Sequence, residues 1–427
     1  MAYNRRVSYL RALVGAACGT ESGQGCDSTL LQEACYAGLL GVGYASPNPS
    51  VGALIVKDGE VIARGVHRIC GKEHAEAEAL SRAKDRAQGA DLYVGLEPCC
   101  HHGKQPPCAD AIIKSGIARV IYAGDDPDPR TCRRARPVLC NADVKVDGPL
   151  MPRAMARLND SYYHCKSRGE LFVTLKLAIS LDGRLALAGG DSKWLTGKTA
   201  LGYSHFLRQS HDAVMVGVGT VRTDNPHLTV RKAMLREFAG EDVEYIRLRH
   251  PIRVVLDPEF SLLRDYRPPG GELDRPALNI FDQPERRRRE YPWLVFVGAE
   301  GKSPSGANAA EGIQAIEVPC DATGGIELAR VWEKLAQFGI CSVLVEGGVR
   351  LAQRVLAQRA FVRFDAIVAP LLLGGDARTF APDMELAQVD ECLRLHDVLN
   401  LSLGRDTLIS GYASDFIDEA LRGMPGQ

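Results

Sequence analysis

The chain has 427 residues, 45% of them apolar and 25% charged, and carries a formal net charge of −1. It is too long for one ordinary core, and its composition is that of a globular protein of two domains. The near-zero charge argues against nucleic acid or anionic membrane as a partner, and no apolar run approaches the ~20 residues that span a bilayer.

The 13 cysteines are scattered through a long chain that shows no convincing secretory signal. They read as free thiols, some of them metal ligands, in a cytoplasmic protein. Residues 1–27 place Arg5, Arg6 and Arg11 before a short apolar patch, Leu13–Cys18. They read as an unstructured or weakly helical extension rather than an address.

Ser28–Leu40 has helical spacing, and Ser46-Pro-Asn-Pro-Ser50 must be loop. Val51–Val56 and Val61–Val66 read as strands joined by a hairpin at Asp58-Gly59. A helix over His74–Ala87, a strand over Asp91–Leu96, a helix over Pro107–Ser115 and a strand over Ala118–Ala123 follow. The order gives a compact α/β layer domain over residues 28–149. Residues 150–170 are polar and Arg-rich and read as a linker.

From Leu171 the alternation restarts. Strands are expected at Leu171–Ile179, Ala213–Val218, Ile252–Leu256, Trp293–Val297, Ser342–Val345, Phe364–Leu373 and Thr407–Tyr412. Helices are expected at Thr199–Gln209, Ile326–Phe338 and Arg350–Gln358. Residues 171–420 thus form a second α/β domain. Lys232–His250 and the stretch around Ala307–Gly312 read as surface insertions. The four arginines between Glu285 and Glu290 read as a solvated loop.

The chemistry-bearing segments of the first domain are His74-Ala-Glu76 and Glu97-Pro-Cys99-Cys-His-His-Gly-Lys-Gln-Pro-Pro-Cys108. A helix N-terminus favours a thiolate and orients a ligating imidazole. One His and two Cys leave a fourth tetrahedral position open on zinc, the mark of a catalytic site. Glu76 can stay off the metal and shuttle protons, which fits the H-x-E and P-C pattern of zinc deaminases. Cys99 and Cys108 are nine apart rather than three, so His101–Pro107 must loop out. Cys100 competes as a ligand, but Cys108 lies at the second helix start.

Together with Pro47-Asn48-Pro49-x-Val51-Gly52, His102-Gly-Lys104 and Pro106-Pro-Cys108, these segments resemble the bifunctional riboflavin-biosynthesis deaminase–reductase family. The first half of that family is cytidine-deaminase-like. The resemblance implies zinc on His74, Cys99 and Cys108 with Glu76 as general acid and base. It also implies substrate contacts from Asn48, His67, His101 and Lys104. One departure is Asp125-Asp-Pro-Asp128-Pro followed by Arg130-Thr-Cys-Arg-Arg-Ala135, where the family usually has D-P-N-P and then a Val-x-Gly-x-Gly segment. Asn is thus replaced by Asp128 and the glycines are gone. A carboxylate at 128 would repel a phosphate-bearing substrate, and Arg130, Arg133 and Arg134 are candidates to compensate.

In the second domain, Val216-Gly217-Val-Gly219-Thr-Val-Arg222 lacks the third glycine of a Rossmann fingerprint. The wider set resembles the reductase half of the same family, which has a dihydrofolate-reductase-like fold. Its members are Leu175-Lys176 to Asp182-Gly183, Ser192-Lys-Trp194-Leu-Thr196, Gly217 to Arg231, and Val345-Glu346-Gly-Gly348. The resemblance implies NADPH near Ser192, Trp194, Thr196, Gly217, Thr220, Asp224 and Gly348. It puts Lys176, Arg208, Arg231 and Glu346 near the sugar phosphate. Asp224 and Glu346 are expected just after strands. A second departure is Leu371, where the family usually has Lys.

The implied reaction is zinc-dependent deamination of 2,5-diamino-6-(5-phosphoribosylamino)pyrimidin-4-one. NADPH-dependent reduction of the ribosyl group then gives 5-amino-6-(5-phosphoribitylamino)uracil. The departures motivate a competing reading, a diverged paralogue with one active domain or a secondary pathway. Homo-oligomers are common in the family, although no motif here forces one.

Overall fold

The computed structural model describes residues 9–19, 25–190, 195–264, 278–281, 293–298 and 313–424. They divide into two compact units. The first takes the chain up to Glu170, Leu235–Arg249 and the residues from Asp415 on; the second takes Leu171–Met234 and His250–Ser414. Among the described residues no helix is long and apolar enough to cross a membrane.

The first unit is built on a sheet of five strands: β1 (Gly52–Lys57), β2 (Glu60–Val66), β3 (Asp91–Leu96), β4 (Arg119–Gly124) and β5 (Lys145–Asp147), in the order β2-β1-β3-β4-β5. The β1–β2 hairpin turns at Asp58 and Gly59, both with positive φ, the conformation an Asp-Gly pair accepts most readily. β3, β4 and β5 run parallel. β1, β3 and β4 are buried along almost their whole length, as expected of strands covered on both faces by helices.

Several segments differ from the sequence expectation. Tyr9–Cys18 is a helix that buries Leu10, Val14 and Cys18, one stripe at helical spacing, and Tyr9 stacks on Phe238. The segment 150–170 is not an extended linker. It forms helices Pro152–Leu158 and Asp160–Arg168, because Ala154, Met155, Ala156 and Tyr163 supply a buried face that the many arginines mask in the composition. Lys232–Ala239 and the turn Gly240–Glu244 bury Leu235, Phe238, Ala239 and Val243, and from Leu235 this insertion belongs to the first unit.

The C-terminal helix Phe416–Arg422 buries Phe416, Ile417 and Ala420. Asp418 pairs with Arg153 and Glu419 with Arg168. Residues 415–420, which the sequence reading places with the reductase half, therefore pack in the first unit.

The second unit carries a sheet of nine strands. They are β6 (Phe172–Ser180), β8 (Ala213–Gly217), β9 (Ile252–Leu256), β10 (Trp293–Gly298), β11 (Ile313–Val318), β12 (Ser342–Val345), β13 (Arg363–Ala369), β15 (His396–Leu403) and β16 (Asp406–Tyr412). A separate short ribbon pairs β7 (Arg184–Ala186) with β14 (Arg378–Thr379). The order in the large sheet is β11-β10-β9-β8-β12-β6-β13-β16-β15. β11 through β13 run parallel to their neighbours, while β16 and β15 are antiparallel. β12 therefore returns between β6 and β8, and the C-terminal ends of such parallel strands are where α/β sheets place ligands. The edge strands β11 and β15 were not expected, since their half-exposed alternation gives a weaker signal than a buried run. The stretch around Ala307–Gly312 and the Arg run between Glu285 and Glu290 lie outside the described residues.

Phe416 is 1% exposed, and its ring lies 5.7 Å from that of His164. Phe416→Ala is expected to destabilise the first unit by about 3–5 kcal/mol. Calorimetry should show that unit's transition lowered and the reductase unit's transition unmoved.

Candidate active sites

In the first unit, His74 is the N-cap residue of helix Ala75–Ala83, Cys108 is the first residue of helix Cys108–Lys114, and Cys99 follows β3. Their ligand atoms meet. His74 Nδ1 lies 3.6 Å from Cys99 Sγ and 3.3 Å from Cys108 Sγ. A tetrahedral zinc with bonds of ~2.3 Å to sulfur and ~2.1 Å to nitrogen separates such atoms by about 3.6 Å, so the donor set fits the ion. Cys99 Sγ also accepts the Cys108 backbone N–H at 3.3 Å.

The convergence rests on close packing. A Cβ on Gly65 of β2 would stand 2.0 Å from the Ala75 carbonyl oxygen, so only glycine lets the strand lie against the helix start that presents His74. Cys100, the competing ligand, lies against the Pro98 carbonyl, and burial pushes its thiol up to about 12. Glu76 is buried on the first helical turn, and burial raises its carboxyl above the usual range.

Asn48 donates its amide to His67 Nε2 at 3.2 Å, so His67 Nδ1 carries the proton and donates to the Glu73 carbonyl at 2.8 Å. Burial lowers the His67 pKa and keeps the ring neutral. Its edge meets His74 with ring centroids 5.2 Å apart. The loop carrying Asn48 is tied from two directions. Asn159 accepts the Ser50 N–H at 2.7 Å, and Arg249 donates to the Gly43 carbonyl at 2.7 Å while Arg247 covers the Tyr44 ring.

In the inserted loop, His101 Nδ1 pairs with Thr131 Oγ1 at 3.1 Å. Lys104 is exposed, and the described contacts do not join it to the zinc ligands.

Asp128 does not present a bare carboxylate. It accepts from Arg130 at 2.7 Å and from Lys166 at 2.9 Å, and these hold it well below the usual carboxylate range. Arg133 bonds Asp125 instead, and Arg134 is exposed. Of the three arginines expected to compensate, Arg130 does so. The second cation, Lys166, comes from helix Asp160–Arg168, whose polar sequence gives the appearance of a linker. The same helix ties the loop through Tyr162 to Asp126 and Tyr163 to the Asp125 carbonyl, both at 2.7 Å. Glu97 closes the loop's other side by accepting the Arg133 and Ala135 N–H groups.

In the second unit, Glu346 directly follows β12, as expected. Arg208 holds it through two bonds of 2.6 and 2.8 Å. Burial alone would raise the Glu346 pKa, but Arg208, Lys176 and His205 outweigh it and bring it down to about 2. Burial pushes the Lys176 ammonium down against the pull of Glu346. Arg208 is thus committed to an internal ion pair, while Arg231 at the helix edge is exposed.

Gly217 and Gly348 are the N-cap residues of helices Val218–Asp224 and Val349–Ala357, which follow the adjacent parallel strands β8 and β12. Thr220 Oγ1 would stand 3.0 Å from a Cβ on Gly348. Two glycine-capped helix starts side by side suit a dinucleotide pyrophosphate. Thr196 is buried beside Gly197, whose N–H donates to Asp406. Asp224 ends a helix rather than following a strand, because the Gly217–Asp224 run, lacking any breaker after Gly219, coils. Ser192 and Trp194 lie outside the described residues. The sequence reading missed His205, although it sits three residues before Arg208 on the same helical face.

Residues 25–124 match the cytidine and deoxycytidylate deaminase zinc-binding region, and residues 171–409 match the RibD C-terminal domain. The riboflavin biosynthesis protein RibD of Aquifex aeolicus is 35% identical over 86% of this chain and 93% of its own length. That of Escherichia coli is 35% identical over 78% and 84%. Among solved structures, RibD of Acinetobacter baumannii superposes with a TM-score of 0.72 at 31% identity, covering 91% of this chain and 98% of that one. A deaminase/reductase from Thermotoga maritima gives 0.70 at 29% with the same coverage. The two halves thus carry zinc-dependent deamination and NADPH-dependent reduction, and the chain belongs to the bifunctional RibD family of riboflavin-biosynthesis deaminase–reductases.

Proposed function

We propose that the chain deaminates 2,5-diamino-6-(5-phosphoribosylamino)pyrimidin-4-one in its first unit. In its second it reduces the product to 5-amino-6-(5-phosphoribitylamino)uracil. The observation that carries the first step is the gathering of His74, Cys99 and Cys108 ligand atoms within 4.8 Å of one another, with Glu76 buried in the first turn of the helix that His74 caps. When bound, zinc supplies a Lewis acid that acidifies water. Glu76 takes one proton from the water and gives it to the ring nitrogen, then carries the second from the added hydroxyl to the amine, which departs as ammonia. His67, neutral and held by Glu73, fixes Asn48 as a donor and acceptor for the pyrimidine edge. His101 and Lys104, on the inserted loop, reach the ribose phosphate.

In the second unit NADPH supplies the hydride when bound. Gly217, Thr220 and Gly348 hold its phosphates, and Thr196 and Asp224 belong to the same cofactor set, as do Ser192 and Trp194. Lys176 and Arg231 meet the substrate's sugar phosphate. Arg208 and Glu346 form the rigid ion pair on which that pocket is built. Orientation, rather than side-chain acid–base work, is the protein's part in this step. The reading takes the substrate as a free small molecule in the cytoplasm, and the net charge of −1 favours it over a nucleic-acid partner.

Mass spectrometry of the reaction tests both steps. A gain of ~1 Da without NADPH reports amine replaced by oxygen, and ~2 Da more with NADPH reports reduction. Absence of both changes in a zinc-loaded protein would refute the assignment. Glu76→Gln is expected to slow deamination about a hundredfold to ten-thousandfold, with one zinc per chain still found by metal analysis. A chelator should abolish deamination while reduction of the supplied deaminated intermediate continues. Lys176→Ala should lower kcat/KM for reduction about ten- to a hundredfold and leave the deaminase rate unchanged.

A further inference from the structure

His205 lies on helix Lys198–Ser210, is 3% exposed and has no role in the assignments above. Its Nδ1 accepts the backbone N–H of Arg231 at 3.0 Å. An acceptor nitrogen carries no proton, so the ring is neutral and its one proton sits on Nε2. A protonated ring would turn a second N–H onto the Arg231 amide. Burial, reinforced by Arg208 and Arg231, lowers the His205 pKa to about 3 and favours the same neutral form.

The polar atom that approaches Nε2 is Arg231 Nη2, at 3.4 Å. Both are donors, so they cannot bond each other. Two donors brought this close from a fixed imidazole and a guanidinium share a direction rather than a bond, and they call for one acceptor between them. The carboxylate nearest the cluster, Glu346, is already taken by both arms of Arg208.

We propose that His205 is a further ligand of the substrate phosphate in the reductase, its Nε2–H and the Arg231 guanidinium gripping the same phosphate oxygen. This rests on the reduction assigned above. The Nδ1 bond fixes the tautomer that makes the donor and pins Arg231 at the matching place. Charge-assisted bonds of this kind are strong and directional.

The test compares His205→Gln, which can both accept the Arg231 amide and donate onward, with His205→Met, which fills the space and does neither. Substrates are 5-amino-6-(5-phosphoribosylamino)uracil and its dephosphorylated nucleoside, with NADPH. His205→Met is expected to raise KM for the phosphorylated substrate about tenfold or more. The KM of the nucleoside, kcat and NADPH affinity should stay near wild type, and His205→Gln should restore most of the loss.

Equal KM changes for both substrates, or none, would overturn the proposal, as would a loss confined to NADPH, which would move the grip to a cofactor phosphate. If His205→Met does not fold, His205→Glu replaces it. Glu keeps an acceptor for the amide and offers no donor, so the same phosphate-specific rise is expected. A wild-type protein that fails to reduce either substrate would instead refute the parent assignment.

Discussion

Everything in the deaminase half follows from one packing constraint, that two helix starts and one strand end must deliver His74, Cys108 and Cys99 to a single point. Helix N-termini supply the partial positive charge that a thiolate needs, and the missing side chain at Gly65 lets β2 close against the start that bears His74. The neighbouring polar side chains are then assembled around this fixed point. His67 meets His74 edge-on and in turn receives Asn48. The ties on that loop reach it from segments distant in the chain, Asn159 and Arg249. The deaminase is therefore completed by residues well beyond its zinc motifs, including an insertion and a terminal helix that flank reductase sequence.

The reductase half uses a different device. Its polar cluster is organised by the Arg208–Glu346 pair, whose side chains are 15% and 14% exposed. Breaking such a pair leaves an uncompensated charge in a poorly solvated place. Lys176 and His205 sit in the field of that pair, and each is biased toward its neutral form by burial. The second cation row at Arg231 stays exposed. The inner pair thus satisfies itself, while the outer arginine remains accessible to solvent.

The order of elements and the meeting of His74, Cys99 and Cys108 were legible in the sequence because both depend on local signals. Buried strands such as Leu92–Leu96 are continuous apolar runs, and H-x-E with P-C fixes ligands by spacing. The misses share a physical cause. Segment 150–170 was read by its arginines, yet helix formation there depends on a few buried positions, Met155 and Tyr163 among them. Tyr9–Cys18 and Lys232–Ala239 carry apolar stripes of the right period, and Tyr9 and Phe238 are stabilised by each other, a long-range pairing that neither stripe announces. Lys166 reaches Asp128 from 38 residues away, and nothing in either motif points to that partner. His205 is a milder case, because helical spacing from Arg208 would have found it.

The two departures from the family pattern bear on whether the chain has drifted from its chemistry, and their surroundings argue that it has not. At position 128 the added negative charge is matched locally by two cations, Arg130 and Lys166, so Asp128 presents no free carboxylate. Its neighbour Thr131 remains bonded to His101. At position 371 the change removes a cation, but the turn there is shaped by the backbone. The Leu371 carbonyl accepts the Leu181 N–H at 2.8 Å, and Asp182 receives the N–H groups of Leu373 and Gly374. A side chain that does not set the turn can vary without moving it. Position 128 thus shows compensation, and the turn at 371 keeps its shape without the cation, which accords with a chain whose His74–Cys99–Cys108 cluster, buried Glu76 and glycine-capped helix starts are all in place.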